Sequence, residues 1–123
     1  MRVGLVTFLI LNSSLLFGQS KWDLIGEFQH SIFMYSYTLS LKDGENYETL
    51  ESSDLGAERT IGTWIIRGQA IRLTPKKKIT TDVHKKQEEK TITDSKEEII
   101  VIETKDLLTL KRATGDIKLE RAK

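Results

Sequence analysis

Cysteine is absent from this chain, so no disulfide can staple the fold and no cysteine is available for lipid attachment. Proline occurs once, at Pro75, and histidine twice, at His30 and His84. Metal sites need several His, Cys or carboxylate ligands converging, and two histidines far apart in sequence, each beside ordinary strand or turn residues, do not supply them. His30-Ser31 and Asp82-Val83-His84 read as solvated pairs, the latter on one outward strand face. No serine stands in an activating context, so a nucleophile–base–orienter set is also missing. The sequence therefore predicts no catalytic residues, no metal, no cofactor and no enzyme. An excess of one charge is missing too, because 19 basic residues face 18 acidic ones. A near-neutral domain has no field to steer it onto nucleic acid or an anionic surface.

One long apolar run is present, at the start. Met1-Arg2 is a short positive segment, Val3 to Phe17 is mostly apolar, and Gly18-Gln19-Ser20 is a small-residue exit. This is the layout of a secretory signal peptide. The run is shorter than the roughly 20 apolar residues a membrane span requires, and Asn12-Ser13-Ser14 interrupts it. Cleavage is expected after Gly18, with a cut after Ser20 as the alternative. The product is an exported protein, periplasmic or secreted, of one small domain (residues 19–123), with no integral membrane segment after cleavage. The only charged residue removed is Arg2, which leaves basic and acidic residues equal in number.

What remains reads as strands. Ser31 to Leu41 alternates, with Phe33, Tyr35, Tyr37, Leu39 and Leu41 on one face and Ser36, Thr38 and Ser40 on the other. A period of two over this length indicates a strand. Asp43-Gly44 then signals a hairpin. A three-residue loop at Lys42-Asp43-Gly44, with Gly44 left-handed, sets Leu41 opposite Glu45 and Leu39 opposite Tyr47, which brings Tyr47 onto the aromatic face. A second hairpin turns at Gly68-Gln69 and pairs Arg67 with Ala70, Ile66 with Ile71, and Trp64 with Leu73. Turn chemistry and apolar pattern agree there. Gly62 shares the face of Trp64 and leaves room for an indole or a close backbone approach. Pro75 is expected to end the strand, with Lys76-Lys77-Lys78 in solvent.

Downstream, Ile79 to His84 alternates and Lys85 to Lys90 reads as a polar turn. Thr91-Ile92-Thr93, Glu97 to Thr104, Leu107 to Lys111 and Ile117 to Leu119 read as short strands. Only Lys21 to Phe28 could open with a helical turn. The lysines of 76–78, 85, 86 and 90 are answered by Glu88, Glu89, Glu97 and Glu98, which reads as a solvated, edge-protecting face. Eight to ten short strands joined by tight turns, without a long crossover, predict an all-β, antiparallel up-and-down barrel.

Trp22 and Gly26, then Leu41-x-Asp43-Gly44-x-x-Tyr47, Gly62-Thr63-Trp64, Gly68, Ile71-x-Leu73 and Leu107-Leu108-x-Leu110 carry a resemblance. The pattern resembles the small secreted bacterial lipocalin-like domains of the calycin architecture and covers most of residues 22–120. The resemblance implies a barrel with an interior ligand site. The candidate ligand-binding residues are Phe33, Tyr35, Tyr37, Tyr47 and Trp64, the inward aromatic row, and the expected ligand is small and apolar or amphipathic. The alternative is a filled-core envelope or protein-interaction domain without a small-molecule ligand, whose partner the sequence does not name. An exported hydrolase is the weakest of the three for want of a catalytic group. Cavity volume discriminates between the first two.

Overall fold

The computed structural model describes residues 21–93 and 96–122; the expected signal peptide lies outside them. A single helical turn, α1 (Lys21–Leu24), leads into nine strands: β1 (Gly26–Ile32), β2 (Tyr35–Lys42), β3 (Asn46–Ser53), β4 (Gly56–Arg67), β5 (Ala70–Asp82), β6 (Gln87–Thr91), β7 (Glu98–Thr104), β8 (Leu107–Leu110) and β9 (Ile117–Arg121). All strands except β6 close an antiparallel barrel of eight, in the order β4-β3-β2-β1-β9-β8-β7-β5 and back to β4. The predicted fold class is therefore the observed one. β6 is an addition to this ring. It pairs with Lys77–Thr81 of β5, while β7 pairs with Ala70–Leu73 on the same edge.

The Gly68-Gln69 hairpin has the expected register, with Arg67 opposite Ala70, Ile66 opposite Ile71 and Trp64 opposite Leu73. The first hairpin keeps its three-residue loop but starts one residue later, at Asp43-Gly44-Glu45, so Lys42 faces Asn46 and Leu41 faces Tyr47. Gly44 is left-handed as expected (φ 75°), and Glu45 is left-handed as well (φ 64°). Opposed residue numbers move by two in sum, so side-chain parity survives and Tyr47 still points inward.

Three expectations are corrected. Lys85 to Lys90 is not a turn throughout and no separate strand starts at Thr91: Gln87–Thr91 is the strand β6, and it ends before Ile92. Ser31 to Leu41 is not one strand: Phe33-Met34 forms a turn between β1 and β2, with Ile32 opposite Tyr35 and Met34 at φ 60°. Neither residue is a turn former, so residue type gave no turn signal, and only the apolar Ile32 and Met34 on the otherwise polar face broke the alternation. Nor does Pro75 end a strand. β5 runs through it to Asp82, because a bulge opposite the Ile61/Gly62 step places Pro75 where β5 changes neighbours from β7 to β6. A missing N–H is tolerated at such a bulge. The extra residue flips parity along β5, whose inward side passes from Ile71, Leu73 and Pro75 to Lys78.

One end of the barrel is filled and shut. Leu24, Phe28, Leu41, Trp64, Leu73 and Leu119 are buried in a single cluster with Ile71, Ile100, Leu108 and Leu110. Each fully buried side chain contributes on the order of 1.5–3 kcal/mol. Trp64 Nε1 donates to the Lys42 carbonyl at 3.0 Å. Arg121 closes this end by donating to the backbone carbonyls of Asp23 (2.5 Å), Ile25 (3.2 Å) and Lys105 (2.6 Å) and to Asp106 Oδ1 (2.8 Å). Its guanidinium lies 4.6 Å from the Phe28 ring centroid.

Candidate functional site: a polar cup in the open end

Away from that plug, the inward side of the wall changes character. Along β3 the inward residues read Tyr47, Thr49, Glu51, and along β4 they read Gly62, Thr60, Glu58. The next cross-strand row is Lys78 of β5, opposite Thr60, and Lys90 of β6, opposite Lys78. Apolar side chains stop at Tyr47 and Pro75, and polar ones take over. The result is a cavity of about 520 Å³ at the open end, within the size range of small-molecule sites. Tyr37 and Tyr47 line it together with the segment between β6 and β7 (Ile92, Thr93, Lys96 and Glu97), Glu98 at the start of β7, and Arg112 from the β8–β9 connection.

Glu51 and Arg112 form the central feature. β3 and β8 are diametrically opposite in the ring, so an ion pair between Glu51 and the residue just after β8 reaches across the barrel. Arg112 Nη1 donates to Glu51 Oε2 and Nη2 to Oε1, both at 3.0 Å, a bidentate pair. The Tyr35 hydroxyl donates to Glu51 Oε2 at 2.7 Å, and the Arg112 guanidinium sits 5.3 Å from the Tyr37 ring centroid. A second pair, Lys78 with Glu58 at 3.3 Å, lies on the wall. Among the described residues, Glu98, Lys90 and Lys96 make no ion pair. The cup thus presents fixed charges of both signs, hydroxyls and two aromatic rings.

Its electrostatics follow from these contacts. The hydrogen bonds from Arg112 hold the Glu51 carboxyl below its ordinary value, aided by the Tyr35 hydroxyl. The same pair raises Arg112. Burial, then the hydrogen bond to Glu51, pushes Tyr35 up to about 12. Burial, then the Glu98 charge, pushes Tyr37 and Tyr47 higher still. All three tyrosines are neutral at physiological pH and able to donate.

A depressed carboxyl contributes stability that is fully present above its ordinary value of 4.5 and is lost as pH falls through the depressed one. Glu51→Gln should therefore cost about 1–2 kcal/mol near neutrality, a modest value because both partners are partly exposed. The difference from wild type should vanish in acid. Urea titrations at several pH values check this; a cost independent of pH would mean that the pair does not stabilise the fold.

Of the five candidate residues, Tyr37 and Tyr47 line the cup, and Tyr35 touches it through Glu51. Phe33 sits in the β1–β2 turn and is 89% exposed, not on the inward row. Trp64 is buried at the filled end and is not part of the lining. His30 packs edge-on against Tyr35, with ring centroids 6.3 Å apart. Asp82 ends β5 and His84 lies in the following turn, where Asp82 Oδ1 accepts from the backbone amides of His84 and Lys86. They share a turn rather than a strand face. Among the described residues, no three His, Asp or Glu side chains are grouped to hold a metal ion.

Thr49, Glu51, Glu58, Lys78 and Arg112 were not predicted. For Thr49 and Glu51 the signal was the inverted alternation Tyr47-Glu48-Thr49-Leu50-Glu51, in which the inward parity turns polar while Leu50 faces out. The other three lie on other elements and had none. No family model, curated protein or solved structure matches this chain.

Proposed function

We propose that this protein is an exported, non-catalytic lipocalin-like domain that holds a small amphipathic ligand by its polar end in the mouth of the barrel. The observation that carries this reading is the cavity of about 520 Å³ built around the Glu51–Arg112 pair and the rings of Tyr37 and Tyr47. The eight-strand closed barrel and the Gly62-Thr63-Trp64 motif support the lipocalin-like part. The first 20 residues, with their apolar run and small-residue exit, support export. Both histidines lie outside the cup lining, which supports binding over chemistry.

A wholly apolar ligand fits less well than the aromatic row implied. Hydrocarbon laid against Thr49, Glu51, Thr60 and Lys78 would strip their water without replacing its hydrogen bonds. Ligand polarity is met instead by neutral tyrosine hydroxyls and by both signs of charge. A filled-core interaction domain is the second reading, favoured by the close-packed half around Trp64 and Leu24.

Native mass spectrometry of the protein purified from its own host, with backbone-amide NMR titrations of small zwitterions and fatty acids, tests the proposal. The expected results are a retained small molecule and saturable shifts at Thr49, Tyr47 and Arg112. Tyr47→Phe should change affinity by about 0.5–1.5 kcal/mol, the net worth of one hydrogen bond, and leave the fold intact. No retained mass and no saturable shift across the panel would reject the cup and leave the interaction domain.

A further inference from the structure

We propose that the rim of the open end docks onto a zwitterionic phospholipid bilayer. Four successive rungs connect five strand ends: Ile32 to Tyr35, Tyr35 to Ser53, Ser53 to Gly56, and Gly56 to Asp82. The three turns beyond this row are therefore neighbours along one edge of the barrel wall. Their tips are apolar and exposed: Ile32, Phe33 and Met34 on the first, Leu55 on the second and Val83 on the third, with Phe33 89% and Leu55 77% exposed. Among the described residues, the other large exposed apolar side chains, Trp22, Leu50 and Ile65, lie elsewhere on the barrel. Scattered apolar residues need no explanation, whereas a cluster confined to one rim marks a contact surface.

Shape and charge select the partner. The tips stand on separate protruding turns, and the cleft between the first two is lined by Ser31, Ser36, Ser52, Ser53 and Asp54 as well as by Ile32 and Met34. Convex tips over a polar cleft find no matching apolar hollow in a rigid copy of the same surface, but a fluid acyl layer closes around them. Rim charges balance, Asp54 and Asp82 against Lys85 and Lys86, which matches a zwitterionic surface rather than an anionic one. Depth agrees as well. The cup row of Tyr37, Glu51 and Glu58 lies two residues behind the rim row, roughly 7 Å along the strands. The headgroup layer of one leaflet is roughly 5–8 Å thick. With the tips in the acyl boundary, the row of Tyr37, Glu51 and Glu58 stands at headgroup level, where the Glu51–Arg112 pair offers partners to phosphate and ammonium. This last step rests on the ligand reading above; the docking itself does not.

The test is co-sedimentation of the protein with phosphatidylethanolamine–phosphatidylcholine vesicles, beside NMR titration with soluble glycerophosphoethanolamine. Saturable vesicle binding with little salt dependence is expected. Phe33→Ser and Leu55→Ser should each weaken it roughly ten-fold or more, with unchanged melting temperature and unchanged binding of the soluble probe. Vesicle binding that survives both substitutions, or its absence in the wild type, overturns the docking surface. A dimer in sedimentation velocity that Phe33→Ser dissociates overturns it in favour of self-association. Failure of the soluble probe alone, with vesicle binding lost on Phe33→Ser, sinks the cup reading and sustains the docking.

Discussion

Trp64→Ala is expected to destabilise the barrel by about 3–5 kcal/mol, the range for truncating a large buried aromatic. Trp64 is 1% exposed, faces Leu73 across β4–β5 and belongs to the cluster that includes Leu24, Leu41 and Ile71. Truncation removes the indole from a filled end that cannot collapse, because Arg121 ties α1 and the β7–β8 turn to β9. It also leaves the Lys42 carbonyl without its 3.0 Å donor. Domains of this size are stable by about 5–15 kcal/mol in total, so the variant should lie near the edge of folding. Trp64→Phe keeps one aromatic ring but loses the fused pyrrole ring with its N–H, so it should cost less than the alanine, roughly 1–3 kcal/mol. Urea denaturation measures both. Trp22 is exposed, so a Trp22→Phe background isolates the Trp64 emission, which should be blue-shifted in the native state. A loss below about 1 kcal/mol for Trp64→Ala, or emission typical of indole in water, would remove Trp64 from the core.

The hairpin that carries Trp64 was legible to the residue because two independent signals agreed. Gly68-Gln69 set the loop length, and the apolar set Trp64, Ile66, Ile71 and Leu73 then fell on one face. The Asp43-Gly44 hairpin was legible in loop length but not in placement. A glutamate in left-handed backbone, Glu45, leaves no trace in composition. The Phe33-Met34 turn was hidden for the same reason, its one hint being that Ile32 and Met34 spoil the alternation. Pro75 was read as a breaker because a proline has no ladder donor. The bulge that accommodates it is a property of two strands together, so β5 alone could not display it.

The candidate site divides along the same line. Tyr37 and Tyr47 were found because parity on one strand and one hairpin suffices to orient them. Glu51 and Arg112, 61 residues apart, meet only because ring closure sets β3 opposite β8. No spacing rule within the chain encodes that meeting. Phe33 and Trp64 were assigned to the same row as the tyrosines, but a row of aromatics in a closed barrel is cut by the ends. One end is plug and the other is rim, and these two residues belong to the plug and the rim.

Gly62→Ala should be among the most damaging single-methyl changes in the protein, and it probes the seam between plug and cup. Gly62 is buried, and its φ lies outside the left-handed region, so an alanine there meets no backbone penalty of its own. Space is the issue. An added Cβ would lie 2.8 Å from Tyr47 Cε1 and 3.0 Å from Pro75 Cα, and it would overlap the Thr74 carbonyl oxygen. Two of these neighbours are backbone at the bulge, where β5 already changes partners, so relief requires opening the β4–β5 ladder. Overpacking of this kind costs about 1–3 kcal/mol, and backbone neighbours place this site at the upper end. Gly68 supplies the contrast. Its φ is +62° and nothing lies within 4 Å of a Cβ there, so Gly68→Ala should cost only about 1 kcal/mol of backbone strain. Gly68→Asn should be nearly neutral. The expected order, Gly62→Ala worse than Gly68→Ala, is opposite to what positive φ alone would rank. Because the added methyl also pushes on Tyr47, Gly62→Ala should shift the NMR resonances of Thr49 and Arg112 in the cup, and Gly68→Ala should leave them in place. Tyr47→Leu in the Gly62→Ala background should recover part of the loss, a coupling that a double-mutant cycle reads directly. Equal costs at the two glycines, or no coupling with Tyr47, would mean that β4 and β5 stand further apart at the bulge than this packing requires.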